Sequence, residues 1–132
     1  MAILVRCDDP DKGIIRYEFE QSWSWADFVQ ATQDDDTLLD PVDRPFTLIL
    51  DLRHSAEIPT TMVTRLGSAV DLIQPRLKMI VFVGDNAWAE TLVNIFSRAY
   101  GPYIRSLAWI KKVRTLEEAY AVIGAQEQSD AD

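Results

Sequence analysis

The sequence predicts an α/β domain of order ββαβαβαβα, a single layered unit with a mainly parallel sheet and an antiparallel hairpin at its N-terminal side. Two almost continuously apolar runs, residues 46–52 and 77–83, have the texture of strands buried on both faces. Segments with apolar residues at helical spacing alternate with these runs, and such alternation demands right-handed crossovers between parallel strands. The 132 residues are 48% apolar and 26% charged, the balance of one globular domain with room for one core.

Each element has its own justification. Residues 3–5 are a short β-prone run, Asp8-Asp9-Pro10-Asp11-Lys12-Gly13 is a polar turn, and residues 14–20 alternate with period two, which makes a hairpin with one wet face. Ser24 and Asp27 form a short-armed capping box, with Trp25, Phe28, Val29 and Thr32 on one helical face. Asp34, Asp35 and Asp36 oppose the macrodipole at a helix C-terminus, so this helix is expected to stop there or restart near Leu38. Beyond the central strand and the loop 54–60, Met62, Val63, Leu66, Ala69, Val70 and Ile73 recur at helical spacing until Pro75. The strand 77–83 ends at Gly84-Asp85. Asn86 can then cap a helix carrying Trp88, Leu92, Val93, Ile95, Phe96, Ala99 and Tyr100, which Gly101-Pro102 stops. Residues 106–113 read as the last strand. Thr115-Leu116-Glu117-Glu118 is a capping box opening a helix with Ala119, Tyr120, Val122 and Ile123 inward, and Gly124 is expected to end or fray it. That divides the chain into a domain over residues 1–124 and a polar tail over 125–132, expected to be mobile.

Charge and composition exclude several classes. Thirteen Lys and Arg against 21 Asp and Glu give a formal charge of −8, which disfavours neutralising the phosphates of nucleic acid and binding an anionic membrane surface. The charge is uneven: residues 1–45 hold eleven acids and four bases, whereas residues 46–123 hold seven acids and nine bases. One cysteine, Cys7, excludes an internal disulfide, and one histidine, His54, excludes the usual multi-histidine metal sites. No signal-peptide pattern opens the chain and no apolar run approaches the roughly 20 residues of a membrane span. The expected setting is therefore soluble and cytoplasmic, with no metal and no cofactor.

In element order and length the chain resembles the STAS superfamily, the sulfate-transporter and anti-sigma-factor-antagonist domains, including the SpoIIAA-like group. The resemblance spans about residues 3–123. It rests on Leu48-Ile49-Leu50-Asp51-Leu52 leading into a loop and helix, on the strand 80–84, and on Thr115-Leu116-Glu117-Glu118-Ala119. In the antagonist branch the loop after the central strand carries a phosphorylatable Ser in an Asp-Ser-Ser/Thr-Gly setting. The matching stretch is Ile58-Pro59-Thr60-Thr61-Met62, so the resemblance implies Thr60 and Thr61 as switch positions, although the Asp and Gly of that pattern are absent. A hydroxyl at a helix start serves equally as an N-cap.

Other residues invite chemistry. Asp8-Asp9, Asp51 and Lys111 or Lys112 follow the chain order of a phosphoacceptor receiver domain, in which carboxylates hold Mg²⁺ near an acceptor Asp. Here, however, Asp8-Asp9 precedes a hairpin rather than a helix. No nucleophile elbow and no glycine-rich phosphate loop occurs. His54 follows the central strand at the end where open α/β sheets bind ligands. Trp23, Trp25, Trp88, Phe96, Tyr100 and Tyr103 are many large rings for one domain; they pack a core or line an apolar pocket, as in SEC14-like lipid-binding relatives. Arg98 to Arg114 includes Arg105 and no acid, which suits an anionic partner or the acidic third of a second copy.

The expectation is a non-enzymatic regulatory or protein-interaction module with no catalytic residue. Its candidate surface is His54, Trp88, Phe96, Tyr100, Tyr103 and Arg105, and its partner a protein or a second copy of itself. A small apolar ligand and a receiver-like role are the alternatives.

Overall fold

The computed structural model describes residues 2–9, 13–38, 46–55, 61, 64–65, 77–85, 87–100 and 110–131. Five strands, β1 (Ile3–Asp9), β2 (Ile14–Phe19), β3 (Phe46–Asp51), β4 (Leu77–Val83) and β5 (Ile110–Val113), lie side by side in chain order. β1 runs antiparallel to β2, and β2 to β5 are parallel. The described helices are α1 (Trp25–Leu38), α2 (Ala87–Tyr100) and α3 (Leu116–Ala131). This is the layered α/β architecture that the buried-strand texture and the alternation of periods predict.

Strand alternation sends side chains to two cores. On one face Ile15, Tyr17, Phe19, Leu48, Leu50, Ile80 and Phe82 meet Phe28 and Ala31 of α1 and Ala89 of α2. On the other, Ile14, Ile49, Met79, Val81, Val83 and Val113 meet Ala119 and Ile123 of α3. Right-handed crossovers stepping the same way across a sheet place their helices on one face, which accounts for α1 and α2 sharing a side. The aromatic rings on that side interlock: Phe19 and Trp23 lie 4.7 Å apart at 65°, Tyr17 and Phe28 6.3 Å apart at 75°.

The caps form as their sequences require. The Ser24 amide donates to the Asp27 carboxylate (2.8 Å) and the Asp27 amide to Ser24 Oγ (3.2 Å), a reciprocal box opening α1. The Glu118 amide donates to Thr115 Oγ1 at the start of α3 (3.1 Å).

Two helix ends differ from expectation. α1 continues through Asp34, Asp35 and Asp36 to Leu38. Macrodipole repulsion at a helix end costs less than about 1 kcal/mol, too little to stop a helix already anchored by Phe28 and Ala31. α3 passes Gly124 and continues to Ala131, so the stretch expected to be a tail is helical almost to its end. Gly in a helix costs about 1 kcal/mol relative to Ala, which weakens the helix without ending it. At the other boundaries, β1 is longer than the expected 3–5 run, and residues 106–109 of the expected last strand lie outside the described residues.

Among the described residues, a polar tether joins α3 to the β1 edge of the sheet. Its Tyr120 hydroxyl donates to the Asp8 carboxylate on β1. Burial, and then the Asp8 hydrogen bond and charge, push the Tyr120 phenol up to about 12. A phenol raised in this way contributes stability that is complete below its ordinary value of 10 and disappears as pH rises through about 12. Tyr120→Phe is therefore expected to remove one late-ionising tyrosine from the near-ultraviolet phenolate titration. It should destabilise the fold by less than about 1 kcal/mol, since the ring is 39% exposed.

Candidate functional site

In open α/β sheets ligands gather outside the carboxyl ends of the parallel strands. In this sheet the register sets Leu4, Glu18 and Asp51 in one row across β1, β2 and β3, on the face that α3 covers farther along the sheet. Charged side chains share that face on β1 and β2. Arg6 and Arg16 sit directly opposite each other, an arrangement that costs energy unless acids intervene. Glu18 intervenes: its Oε1 lies 3.0 Å from Arg16 Nη2 and 3.3 Å from Arg6 Nε. Asp8 Oδ2 is 3.4 Å from Arg16 Nε.

Asp51, only 2% exposed, ends β3 and is gripped by Arg53 two residues on. Arg53 Nε donates to Oδ1 and Nη2 to Oδ2, both at 2.8 Å, and the Arg53 amide donates to Oδ1 at 3.2 Å. Burial alone would raise this carboxyl, but hydrogen bonds and charge from Arg53 outweigh it and hold the group below its ordinary value. A bidentate fork of this kind fixes direction as well as charge. It turns the chain at Arg53, so that exposed His54 faces back toward the end of β2. The next residue, buried Ser55, accepts a 3.0 Å hydrogen bond from the indole N–H of Trp23. The loop leaving β3 is thus fastened to the sheet by Asp51 and to the segment after β2 by Trp23.

Between these fastened segments lies an open cleft of about 560 Å³. Leu4, Glu18, Phe19, Glu20, Gln21, Ser22 and His54 line it. Farther along the chain, exposed Thr61 lies in a helical turn: the Arg65 amide donates to its carbonyl at 2.9 Å and the Thr64 hydroxyl at 3.1 Å. The Arg65 guanidinium stands 6.0 Å above the Trp25 ring.

The residues singled out from the sequence fare differently. His54 reaches the cleft, and Thr61 is exposed in a helical turn farther along the chain. Trp88, Phe96 and Tyr100 belong to α2, while Thr60, Tyr103 and Arg105 lie outside the described residues. Trp23 and Trp25 join the core on the α1 side. The receiver-like set is not brought together: Asp9 is level with Ile14 and Thr47, four residues along β3 from Asp51, or about 13 Å at strand rise. Both Asp51 oxygens are already occupied by Arg53.

The sequence reading missed the Asp51–Arg53 fork and the polar wall over residues 18–22. An Asp-x-Arg spacing at the end of a buried strand signals the fork, and the even positions Glu18 and Glu20 carrying the β2 alternation past its end signal the wall. Among the described residues, no group of three His, Cys, Asp or Glu side chains is placed to hold a metal ion, and no helix is long and apolar enough to cross a membrane. Comparison with family models, curated proteins and solved structures finds no match for this chain.

Proposed function

We propose that this chain is a non-catalytic binding module, STAS-like in design, that engages a protein partner through the C-terminal end of its parallel strands. The observation that carries this reading is the fastened loop after β3. The turn Arg53–Ser55 is held by the Asp51–Arg53 fork and the Trp23–Ser55 hydrogen bond with His54 exposed in it, and Thr61, Thr64 and Arg65 stand exposed farther along the chain. A turn fastened in this way loses little conformational freedom on binding, so the exposed imidazole of His54 on it is suited to recognition. The charge of −8 adds long-range attraction toward a basic partner.

The test is site-specific photocrosslinking in cells that express the chain, with the crosslinker at Thr61 or, as a control, at exposed Ala121 on α3. A discrete adduct from Thr61 and none from Ala121 is expected; a second copy of the chain or another protein would each satisfy it. No adduct from Thr61, or equal adducts from both positions, overturns the reading.

A further inference from the structure

The cleft at the end of β2 has a chemistry of its own. Glu18 is countered by two arginines, whereas Glu20 makes no ion pair among the described residues and leaves one negative charge at the mouth. Gln21, Ser22 and His54 line it too, with half-buried Leu4 as the apolar part of the lining. The charge asks for a cation, and the apolar part asks for a hydrocarbon stem behind it.

We propose that the cleft receives the side chain of a lysine presented by the partner, an assignment that rests on the protein-binding reading above. An ammonium group has three N–H donors. The Glu20 carboxylate, the Gln21 carbonyl and the Ser22 hydroxyl offer three acceptors on consecutive residues that line the cleft. A guanidinium is planar and prefers a carboxylate it can meet with two parallel hydrogen bonds. The other carboxylate of the cleft, Glu18, already serves Arg6 and Arg16. The four methylenes of lysine can lie along Leu4, the way such stems cover apolar surface while their heads stay polar. The eleven acids among residues 1–45 favour approach of a basic segment.

The assignment is tested on the isolated protein by an amide-resolved NMR titration with a glycyl-lysyl-glycine peptide blocked at both ends. The Gln21, Ser22 and His54 amides are expected to shift with the lysine peptide and to stay in place with its norleucine counterpart. Glu20→Gln, an exposed change outside the core, is expected to weaken binding about five-fold, the scale of one exposed ion pair. n-Butylamine, with the same stem and head but no peptide groups, is expected to bind more weakly. Absent shifts, equal shifts with norleucine, or unchanged binding by Glu20→Gln overturns the site; butylamine binding as tightly as the peptide overturns its assignment to a partner's lysine. Thr61 adducts without lysine-specific shifts refute this assignment alone, whereas lysine-specific shifts without adducts refute the partner reading and with it the partner as the source of the lysine.

Discussion

Arg53→Ala is expected to lower the stability of the fold by about 2 kcal/mol at neutral pH, below the roughly 3–5 kcal/mol typical of a broken buried pair because the Arg53 side chain is 39% exposed. The loss comes from what stays behind: the Asp51 carboxylate remains buried at the end of β3 with its main counter-charge gone. The pH dependence identifies the cause. In the parent protein the Asp51 carboxyl is held below 3.8, so its contribution is present above that value and is lost as pH falls through the lower folded value. In the variant burial is unopposed by the guanidinium, the carboxyl moves above 3.8, and acidification relieves the variant by protonating it. Urea unfolding of both proteins should therefore show a gap that is widest near neutral pH and closes below about pH 3.8. Asp51→Asn added to Arg53→Ala should recover part of the loss at neutral pH. A gap of constant size across this range would mean that Arg53 acts by packing and not by charge.

Gly84→Ala is expected to cost about 2 kcal/mol for a different reason. Gly84 follows β4 with φ at +157°, a conformation that side-chain-bearing residues rarely adopt. Its amide donates to the Val113 carbonyl at 2.9 Å, and a Cβ there would come within 3.2 Å of the Ala89 methyl in the first turn of α2. The bare backbone thus lets α2 begin directly over the strand ends, beside Leu52. If contact with Ala89 supplies part of the cost, the same substitution in an Ala89→Gly background should cost less, read as a non-additive midpoint in a double-mutant cycle. Full additivity would assign the whole effect to the backbone.

Much of the fold is legible in the sequence because its signals are local. The run 77–83 predicts β4 to the residue, since a strand buried on both faces reads as a nearly continuous apolar run, interrupted here by Lys78 alone. Ser24 with Asp27 and Thr115 with Glu118 mark helix starts because a cap is a contact between residues three apart. Helix ends are harder to read. At Asp34–Asp36 and at Gly124 an unfavourable local preference of about 1 kcal/mol is too small to stop a helix whose earlier residues, Phe28 and Ala31 in α1 and Ala119 and Ile123 in α3, are packed in the core. The candidate site is less legible still. His54 can be placed at a strand's C-terminal end from order alone, but the cleft it lines depends on the β1–β2 register and on the Trp23–Ser55 hydrogen bond across 32 positions. The separation of Asp8-Asp9 from Asp51 follows from β1 running antiparallel, which the hairpin predicts; their chain order alone suggests the opposite.

The left-to-right order of the strands in the sheet is also their order along the chain, and this bears on how the protein reaches its folded state during synthesis. None of the described strands has to be threaded between two that are already paired, so each one leaving the ribosome meets a completed edge on its predecessor. The pairings Thr47 with Ile14, Ile80 with Leu48, and Ile110 with Ile80 each close about thirty residues of chain. Closure entropy grows only with the logarithm of loop length, so these three steps carry nearly equal penalties and none stands out as a bottleneck. Growth by accretion at one edge also means that a stalled or truncated chain exposes the flank of its last strand. Premature termination between β3 and β5 should therefore yield sticky, aggregation-prone fragments in place of smaller folded proteins.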